Sequence, residues 1–507
     1  MKVPSSAVAL TAASALVLTG SAKPLKRNVK VDDKAFIDSI VIDDLLGCAQ
    51  DLEDIAYATP GRNRVHGSEG HANTVSYIVE QLTSLGDYYN VELQEFSTEV
   101  TVGSNASLTV NGETLEAGTF SFANNGTWTD TPVVNVANLG CDAADHPATL
   151  SGAVALIARG DCTFVQKLTL AGEKGAVGAI IYNNAEIGPA TGTLGGVNDL
   201  IPVGGISRAD GLRLVSELSN STLSSAGEFW QYIANATSHN VIASSRTGDA
   251  SNVLFLGAHS DSVDSGPGIN DNGSGTCGIL TVARQLAAAA VGGAIANQVR
   301  FAWWTAEEEG LLGAEHYVAT APASALEKIR LYLNFDMIAS PNYVLGIYDG
   351  DGSAFNLSGP AGSAEAEALF EAWYGESEKL PFVSSEFDGR SDYGPFLEAG
   401  VPCGGLDTGA DGIKTEEEVA LFGGVAGELY DPNYHTPKDN VTNLNLEAFQ
   451  TTGRAIAHAV ATWGTSWEGF PTRNATATLG RRLSPSLSKK KYGPLMKKKS
   501  RRGKKAY

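Results

Sequence analysis

The chain has 507 residues, of which 43% are hydrophobic and 18% charged. That is enough apolar material for several domains, and it excludes a disordered acidic chain. Five cysteines are too few for a small disulfide scaffold. Of the 36 Lys and Arg, 12 lie in residues 481–507, which contain no acid, so the other 24 face 57 acids and give a net charge of −33. A body of that charge disfavours nucleic acid and anionic membranes as partners.

Both ends of the sequence differ from the body. Lys2 precedes an apolar run that ends in small residues, which predicts a signal peptide over 1–22 that is too short to span a bilayer. Residues 23–35 predict a pro-segment or flexible arm, and residues 475–507 predict a basic, disordered tail. No membrane span is expected. The predicted location is extracellular, with a vacuole or similar compartment as the alternative.

The predicted elements change character twice along the chain. Helical spacing predicts helices over 36–56 and 75–85, and alternation predicts a strand over 91–100. Between 104 and 237, short strand-like runs alternate with Gly-rich turns, which predicts a β-rich insert. Beyond it, strands alternate with helices; the strands are predicted over 240–244, 252–258, 299–305, 329–335 and 400–406, and helices over 274–289 and 446–463.

Strand–helix alternation predicts an α/β fold: a mixed, mostly parallel sheet flanked by helices. We expect one such domain over 36–103 plus 238–468, interrupted by the insert. Asn-x-Ser/Thr triplets predict N-glycosylation of a secretory protein; the predicted sites are Asn105, Asn125, Asn220, Asn235, Asn356, Asn440 and Asn474. Asn272 also forms a triplet, but it lies inside the densest functional motif and is set aside.

Five segments of the second half place a histidine or acid at a strand end or in a following loop, where open α/β sheets build their sites. They centre on His259, Asp271, the three acids 307–309, Asp336 and His435. Imidazole and carboxylate ligands without thiolate suit a catalytic Zn²⁺ or another divalent ion. Two imidazoles and three or four carboxylates are enough for two ions, the hydrolytic arrangement with a spacing of roughly 3.5–4 Å.

Taken singly, each segment has a simpler reading. A strand-end aspartate is more often a turn or cap residue, a lone histidine is more often structural, and a run of three glutamates is usually a solvated surface. The order and context of all five segments together favour the metal site.

These segments resemble the zinc aminopeptidases. The matching motifs are 257–261 (GAHSD), 270–275 (NDNGSG), 306–313 (AEEEGLLG), 334–337 (NFDM) and Tyr434-His435, and further matches to the vacuolar aminopeptidase Y and secreted leucine aminopeptidase type lie at 61–70, 388–396 and 404–418. The resemblance covers about 36–468 and implies the zinc exopeptidase fold and two Zn²⁺ per subunit. It implies that Asp271 bridges the ions, that His259 and Asp336 complete one site, and that Glu308 and His435 complete the other.

The resemblance also implies roles around the ions. Glu307 would be the general base, taking a proton from water and returning it to the leaving amine. Asp261 would orient His259 through its other ring nitrogen. Tyr434 resembles the hydroxyl that polarises the carbonyl in some relatives, and Arg390 and Tyr393 resemble substrate-positioning groups. Glu309 is expected in solvent or beside the ligands.

The insert resembles a protease-associated domain through 139–141 (LGC), 154–167 and 175–184. That resemblance implies a disulfide between Cys141 and Cys162, which the secretory route permits. Cys48, Cys277 and Cys403 remain, and the sequence leaves their pairing open.

The expected function is therefore an aminopeptidase acting on peptides and proteins with a free N-terminus, with Leu and other apolar residues as the default preference of such relatives. Two alternatives remain. One is a carboxypeptidase or dipeptidase on the same scaffold, which would need a basic cluster for the terminal carboxylate, and Arg390 alone is thin support. The other is a receptor-like homologue without activity, which the intact ligand set disfavours. The sequence leaves the oligomeric state open.

Overall fold

The computed structural model describes residues 33–160, 162–184, 188–289 and 295–472. The expected signal peptide, most of the expected arm, the basic tail and Asn474 lie outside the described residues. Within them the α-helices are α1 (Asp33–Asp38), α2 (Ile42–Tyr57), α3 (Glu69–Thr83), α4 (Phe164–Glu173), α5 (Arg208–Leu218), α6 (Gly275–Ala289), α7 (Leu312–Thr320), α8 (Ala323–Leu326), α9 (Ser363–Glu371), α10 (Tyr393–Glu398), α11 (Glu416–Phe422) and α12 (Leu446–Thr465).

The β-strands of the described residues are β1 (Tyr89–Val110), β2 (Glu113–Leu115), β3 (Phe120–Ser121), β4 (Gly126–Asn135), β5 (Val154–Ala158), β6 (Gly178–Tyr182), β7 (Gly192–Thr193), β8 (Val203–Ile206), β9 (Ser224–Ser245), β10 (Asp249–His259), β11 (Asn297–Trp304), β12 (Ile329–Phe335), β13 (Gly346–Tyr348), β14 (Val383–Ser385) and β15 (Cys403–Asp407). Among the described residues, no helix combines the length and apolar character that a membrane crossing requires.

The central sheet has the strand order β14-β13-β15-β12-β10-β11-β9, with β1 along β9. The pairs β10–β11, β10–β12, β12–β15 and β13–β14 are parallel, and the pairs of β9 and the β13–β15 pair are antiparallel. This confirms the predicted mixed, mostly parallel sheet with flanking helices. The inner strands are nearly continuous apolar runs because both faces of the sheet are covered.

Alternate residues of β10 divide between the two covered faces. Leu254 and Leu256 pack into the cluster formed with α2, α3, α6 and α12, whereas Val253 and Phe255 pack into the cluster with α7 and α10. Burying both faces fixes the register of the strand, because a slip by one residue would exchange the two sets. The strand therefore delivers His259, its last residue, to one defined place.

Two strands of 22 residues, β1 and β9, connect the insert to the peptidase sheet. They pair along their whole length and run through both predicted domain boundaries. Strand β4 pairs with β9, and β4, β5, β6 and β8 then form a parallel ladder. Helices α4 and α5 also lie in this segment, so the insert is less purely β than its texture predicts.

Two disulfides cross-link the described chain. Cys141 pairs with Cys162 inside the insert, which is the pairing that the resemblance implied. Cys48 pairs with Cys277 and joins α2 to the first turn of α6, 229 residues further on. Cys403 lies buried at the start of β15, where its thiol contacts the carbonyl of Val401.

Candidate metal centre

The five predicted segments meet at the carboxyl edge of the parallel strands. His259 ends β10, Glu307 and Glu308 follow β11, and Asp336 follows β12. Asp271 lies in the segment 269–274 that leads into α6, where its backbone is not helical, and the loop after residue 431 brings His435 to the same place. Crossover connections bring the carboxyl ends of neighbouring parallel strands together, so residues far apart in sequence become one site.

The side chains form two groups that share Asp271. In one, Nε2 of His259 lies 3.2 Å from Oδ1 of Asp271 and 3.4 Å from Oδ1 of Asp336. In the other, Nε2 of His435 lies 3.0 Å from Oδ2 of Asp271 and 3.1 Å from Oε2 of Glu308. Each group gathers its three potential ligand atoms within 4.8 Å of one another. The two oxygens of one carboxylate thus face two separate ligand sets.

Unusual backbone conformations aim these side chains. Ala306, Met337 and His435 have φ of 59°, 54° and 57°, in the left-handed region that few residues other than glycine adopt. The Asp271–Asn272 peptide bond is cis. Gly275 is required for packing, since a Cβ there would lie 2.2 Å from the carbonyl oxygen of Phe335. Such conformations cluster at functional sites, where the surrounding structure holds them in place.

Several buried atoms of the cluster make no hydrogen bond to any described residue. They are Nε2 of His259, Nε2 of His435, Oε1 of Glu308 and Oδ1 of Asp336. Unsatisfied buried polar atoms are rare in folded proteins, and each needs an explanation. Imidazole nitrogens and carboxylate oxygens that converge without hydrogen-bond geometry fit a divalent cation, and this donor set suits zinc.

The charges of the cluster give the same indication. Burial raises the pKa of Glu307 well above its usual range, and Asp336 and Asp392 raise it further. Burial and Asp271 also raise the pKa of Glu308. Burial lowers the pKa of His435, but Glu308 and Asp271 outweigh it and bring the value to about 10. The acids of the cluster outnumber its two histidines, so their full ionisation leaves an excess of negative charge, which a bound cation would neutralise.

Buried carboxylates behind the cluster orient its backbone. Asp261 accepts hydrogen bonds from the amides of Glu307 and Glu308 at 3.2 and 3.3 Å, besides lying 3.6 Å from Nδ1 of His259. Asp439 accepts from the amides of Asn270 and Asp271 at 2.8 and 3.0 Å. Sequence reasoning missed the role of Asp439, although the residue lies four positions after His435.

Arg64 is another supporting residue that sequence reasoning missed. It is fully buried, and its guanidinium donates to the carbonyls of Ser260, Pro267 and Gly268, in the loop between His259 and Asp271. Burial lowers its pKa to about 10, against the attraction of Asp261 and Asp439, so it remains a cation at neutral pH. The available signal was its place in the matched stretch 61–70.

Two further acids lie beside the centre. Glu309 is only 7% exposed, so of its two expected positions, in solvent or beside the ligands, the structure has the second. Burial, with Asp261 next, raises its pKa to about 8. Asp392 is 1% exposed, and neither of its oxygens has a hydrogen-bond partner among the described residues. Burial raises its pKa well above the usual range. No pattern in the sequence singled out Asp392.

A cleft of about 330 Å³ opens onto the cluster, with Glu307 and Asp336 in its wall. The ring of Tyr434 stacks on His435 at 3.8 Å between centroids. Nη1 of Arg390 lies 2.9 Å from Oδ1 of Asp411. The apolar and aromatic part of the lining comprises Met337, Val344, Tyr348, Val383, Tyr393, Ala410, Tyr430 and Tyr434.

Tyr393 contributes its ring to the cleft but not a free hydroxyl. The hydroxyl donates to Asp388 at 2.7 Å and accepts from the amide of Gly389 at 2.9 Å. The cleft is therefore lined by seven of the predicted catalytic, metal and substrate-binding residues: Asp271, Glu307, Glu308, Asp336, Arg390, Tyr393 and Tyr434. The other three, His259, His435 and Asp261, lie against these acids, with Arg64, Asp392 and Asp439 around them.

Comparison with known proteins identifies the class. Residues 240–460 match the model of Peptidase family M28, and residues 129–214 match that of the PA domain. Probable leucine aminopeptidase 2 of Aspergillus fumigatus is 49% identical over 456 residues, 89% of each chain. Leucine aminopeptidase 2 of Arthroderma otae is 46% identical over 472 residues, 92% of this chain and 93% of the relative.

Solved structures agree. An aminopeptidase from Aneurinibacillus sp. strain AM-1 superposes with a TM-score of 0.65 at 27% identity, covering 84% of this chain and 95% of the other. BSAP, a zinc aminopeptidase from Bacillus subtilis, gives 0.60 at 26% identity, covering 89% and 98%. The chain belongs to peptidase family M28 and is a metallo-aminopeptidase with a PA domain.

The buried position of Arg64 yields a prediction. Arg64→Met removes the three carbonyl contacts that hold the loop between His259 and Asp271. Zinc affinity should therefore fall about 10–100-fold, the usual effect of losing a partner behind metal ligands, although the loss of the positive charge acts in the opposite direction. Titration with a competing chelator measures this. Arg62→Met is the matched control, because Arg62 is exposed over the ring of Tyr57. The zinc affinity of Arg64→Lys should lie between those of Arg64→Met and Arg62→Met. Equal zinc affinity of Arg64→Met and Arg62→Met would contradict the prediction.

Proposed function

We propose that the chain is a secreted two-zinc aminopeptidase that hydrolyses the N-terminal peptide bond of peptides and proteins and favours Leu and other apolar residues. The observation that carries the proposal is the sharing of Asp271, whose two oxygens face two separate ligand groups. A carboxylate in that position is suited to bridging two cations. The peptidase domain is proposed to comprise 36–103 and 238–468, around an insert of 104–237.

The ligand sets follow from the two groups. His259 and Asp336 would hold one zinc ion, Glu308 and His435 the other, and Asp271 both. When bound, zinc supplies Lewis acidity, which lowers the pKa of coordinated water to about 7 and stabilises negative charge on a carbonyl oxygen. Asp261 and Asp439 keep the ligands oriented through the hydrogen bonds that they accept from backbone amides.

Glu307 is the proposed general base. It belongs to neither ligand group, yet its Oε2 lies 3.8 Å from Nε2 of His259 in the wall of the cleft. A carboxylate can carry protons only if it is not occupied as a ligand, and the adjacent Glu308 takes that other role. Glu307 accepts a proton from the attacking water and returns it to the departing amine, a contribution of about 10²–10⁴ in rate.

Tyr434 and Arg390 are proposed to position the substrate carbonyl. Burial raises the pKa of the Tyr434 phenol well above its usual value, although Arg390 opposes the shift. The hydroxyl therefore keeps its proton and can donate to an oxyanion. Tyr393 is proposed to hold the turn that carries Arg390, since its hydroxyl binds Asp388 and Gly389.

The cleft supports the proposed substrate class. Its acidic side chains favour a cationic α-amine next to the reacting bond. Its apolar lining offers a surface to a hydrophobic side chain. No basic cluster for a terminal carboxylate accompanies Arg390 among the described cleft residues, so the carboxypeptidase alternative gains no support.

Secretion is supported by the surface and the cross-links. Asn105, Asn125, Asn220, Asn235 and Asn356 are exposed, and Asn440 is partly exposed, so all six could accept a glycan. Asn272, by contrast, is fully buried. The two disulfides suit an oxidising compartment. Delivery to a vacuole remains the alternative location.

Hydrolysis of leucine-4-nitroanilide and of its N-acetylated form tests the proposal directly. Only the free-amine substrate should be cleaved, a chelator should abolish cleavage, and zinc should restore it. Metal analysis of the restored protein should find about two zinc ions per chain. Cleavage of the acetylated substrate would contradict the requirement for a free N-terminus. About one zinc ion per fully active chain would contradict the bridging role of Asp271.

Glu307→Gln separates the base from the ligands. Turnover should fall about 10²–10⁴-fold while zinc content stays unchanged, because the amide cannot accept the proton. Glu309→Gln is the matched control, because Glu309 is a buried acid of the same turn and belongs to neither ligand group. Turnover of Glu307→Gln near that of Glu309→Gln would remove Glu307 as the base.

Asp407 gives the proposed side-chain preference a pH dependence. It lines the cleft, its Oδ2 has no hydrogen-bond partner among the described residues, and burial raises its pKa to about 6. The carboxyl is neutral below that pH and charged above it. From about pH 5 to about pH 7.5, kcat/KM for lysine-4-nitroanilide should therefore rise about tenfold relative to leucine-4-nitroanilide.

Asp407→Asn should abolish that rise, whereas Glu386→Gln, which removes an exposed acid of the same cleft, should retain it. A ratio that does not change with pH in the unsubstituted protein would contradict the assignment.

A further inference from the structure

One arginine of the insert contacts the wall of the substrate cleft. Arg159 follows β5, and its Nη2 lies 3.1 Å from Oδ2 of Asp411. The other oxygen of Asp411 accepts a hydrogen bond of 2.9 Å from Nη1 of Arg390. Asp411 and Arg390 both line the cleft. One carboxylate thus connects a guanidinium of the insert to a guanidinium of the peptidase domain.

The insert holds Arg159 in place for this contact. Its backbone N–H donates to the carbonyl of Tyr182 at 2.9 Å, its Nη1 lies 3.5 Å from Oδ1 of the buried Asn183, and its guanidinium lies 5.9 Å from the ring centroid of Phe164. The side chains of Arg159 and Asp411 are only 18% and 17% exposed. An ion pair between fixed, largely buried partners contributes more than the usual surface pair.

A second contact brings the insert to the acidic loop of the metal centre. A Cβ built on Gly310 would lie 3.6 Å from Cα of Gly195 in the insert. Gly310 directly follows the acids 307–309. The insert therefore meets the peptidase domain at two places near the cleft, and Arg159 supplies the charged contact.

We propose that Arg159 is a positioning residue of the aminopeptidase, which holds Asp411, and through it Arg390, in the cleft wall where the first residues of the substrate bind. The insert thereby completes the substrate site. The inference rests on the proposed substrate contact of Arg390. It adds that this contact needs a residue from outside the peptidase domain.

Steady-state kinetics on leucine-4-nitroanilide and on a tetrapeptide with an N-terminal leucine test this inference. Arg159→Ala should raise KM about three- to tenfold with kcat nearly unchanged, because it loosens a group that binds substrate and transition state alike. Arg159→Lys keeps the charge without the planar fork and should recover part of the affinity. A merely structural defect would lower the fraction of active enzyme and hence kcat.

Arg213→Ala is the matched control. Arg213 lies in the same insert and pairs with Glu113, Asp210 and Glu217, none of which is in the peptidase domain. Its removal deletes the same charge and more ion pairs, and KM should not change. Zinc content and the thermal unfolding midpoint are recorded for every variant.

Non-additivity shows whether Asp411 transmits the effect. On an Asp411→Asn background, Arg159→Ala should raise KM no further, because the connection is already broken. An unchanged KM in Arg159→Ala, or a full further increase on the Asp411→Asn background, would overturn the inference. Arg390→Ala distinguishes the proposed substrate contact of Arg390 from the positioning role of Arg159. If Arg390→Ala leaves KM unchanged, the proposed role of Arg390 fails as well. If it raises KM while Arg159→Ala does not, only the role of Arg159 fails.

Discussion

The structure depends on the burial of many carboxylates together at one edge of the sheet. Burial of a charged group is costly, and like charges in one pocket repel each other strongly. The fold nevertheless places many acids around a single point; they are Asp261, Asp271, Glu307, Glu308, Asp336, Asp392 and Asp439. Two imidazoles and the guanidinium of Arg64 offset part of this charge. The remainder makes the site a receptor for divalent cations.

Backbone amides stabilise part of the buried negative charge that the side-chain cations do not offset. Asp261 and Asp439 each accept hydrogen bonds from two successive backbone amides. The amide dipoles stabilise the negative charge of the carboxylates. The same hydrogen bonds fix the loops that carry Glu308 and Asp271. The same device lets neighbouring acids differ in role. Glu307 and Glu308 share one anchoring carboxylate, yet only Glu308 joins a ligand group.

The sequence could predict the strands and the ligands because both leave local signals. A buried strand is a continuous apolar run, and an acid or histidine directly after it is conspicuous, as at His259 and Asp336. The missed features are non-local. Arg64 binds carbonyls about 200 residues away, Asp392 is distinguished only by burial, and Cys48 pairs with Cys277 across 229 residues. Contacts of this kind depend on the folded packing and leave no periodic pattern in the chain.

The continuous ladder of β1 and β9 also bears on how such a protein could acquire its second domain. Thr101 and Ile233 are direct neighbours across the ladder, and pairing continues on both sides of a single irregularity at Thr101–Gly103. A chain that turned back at this point would need only a tight two-residue hairpin. The whole PA domain therefore occupies the tip of a hairpin. Whole modules can be gained, exchanged or lost there during evolution while the register of the peptidase sheet is preserved.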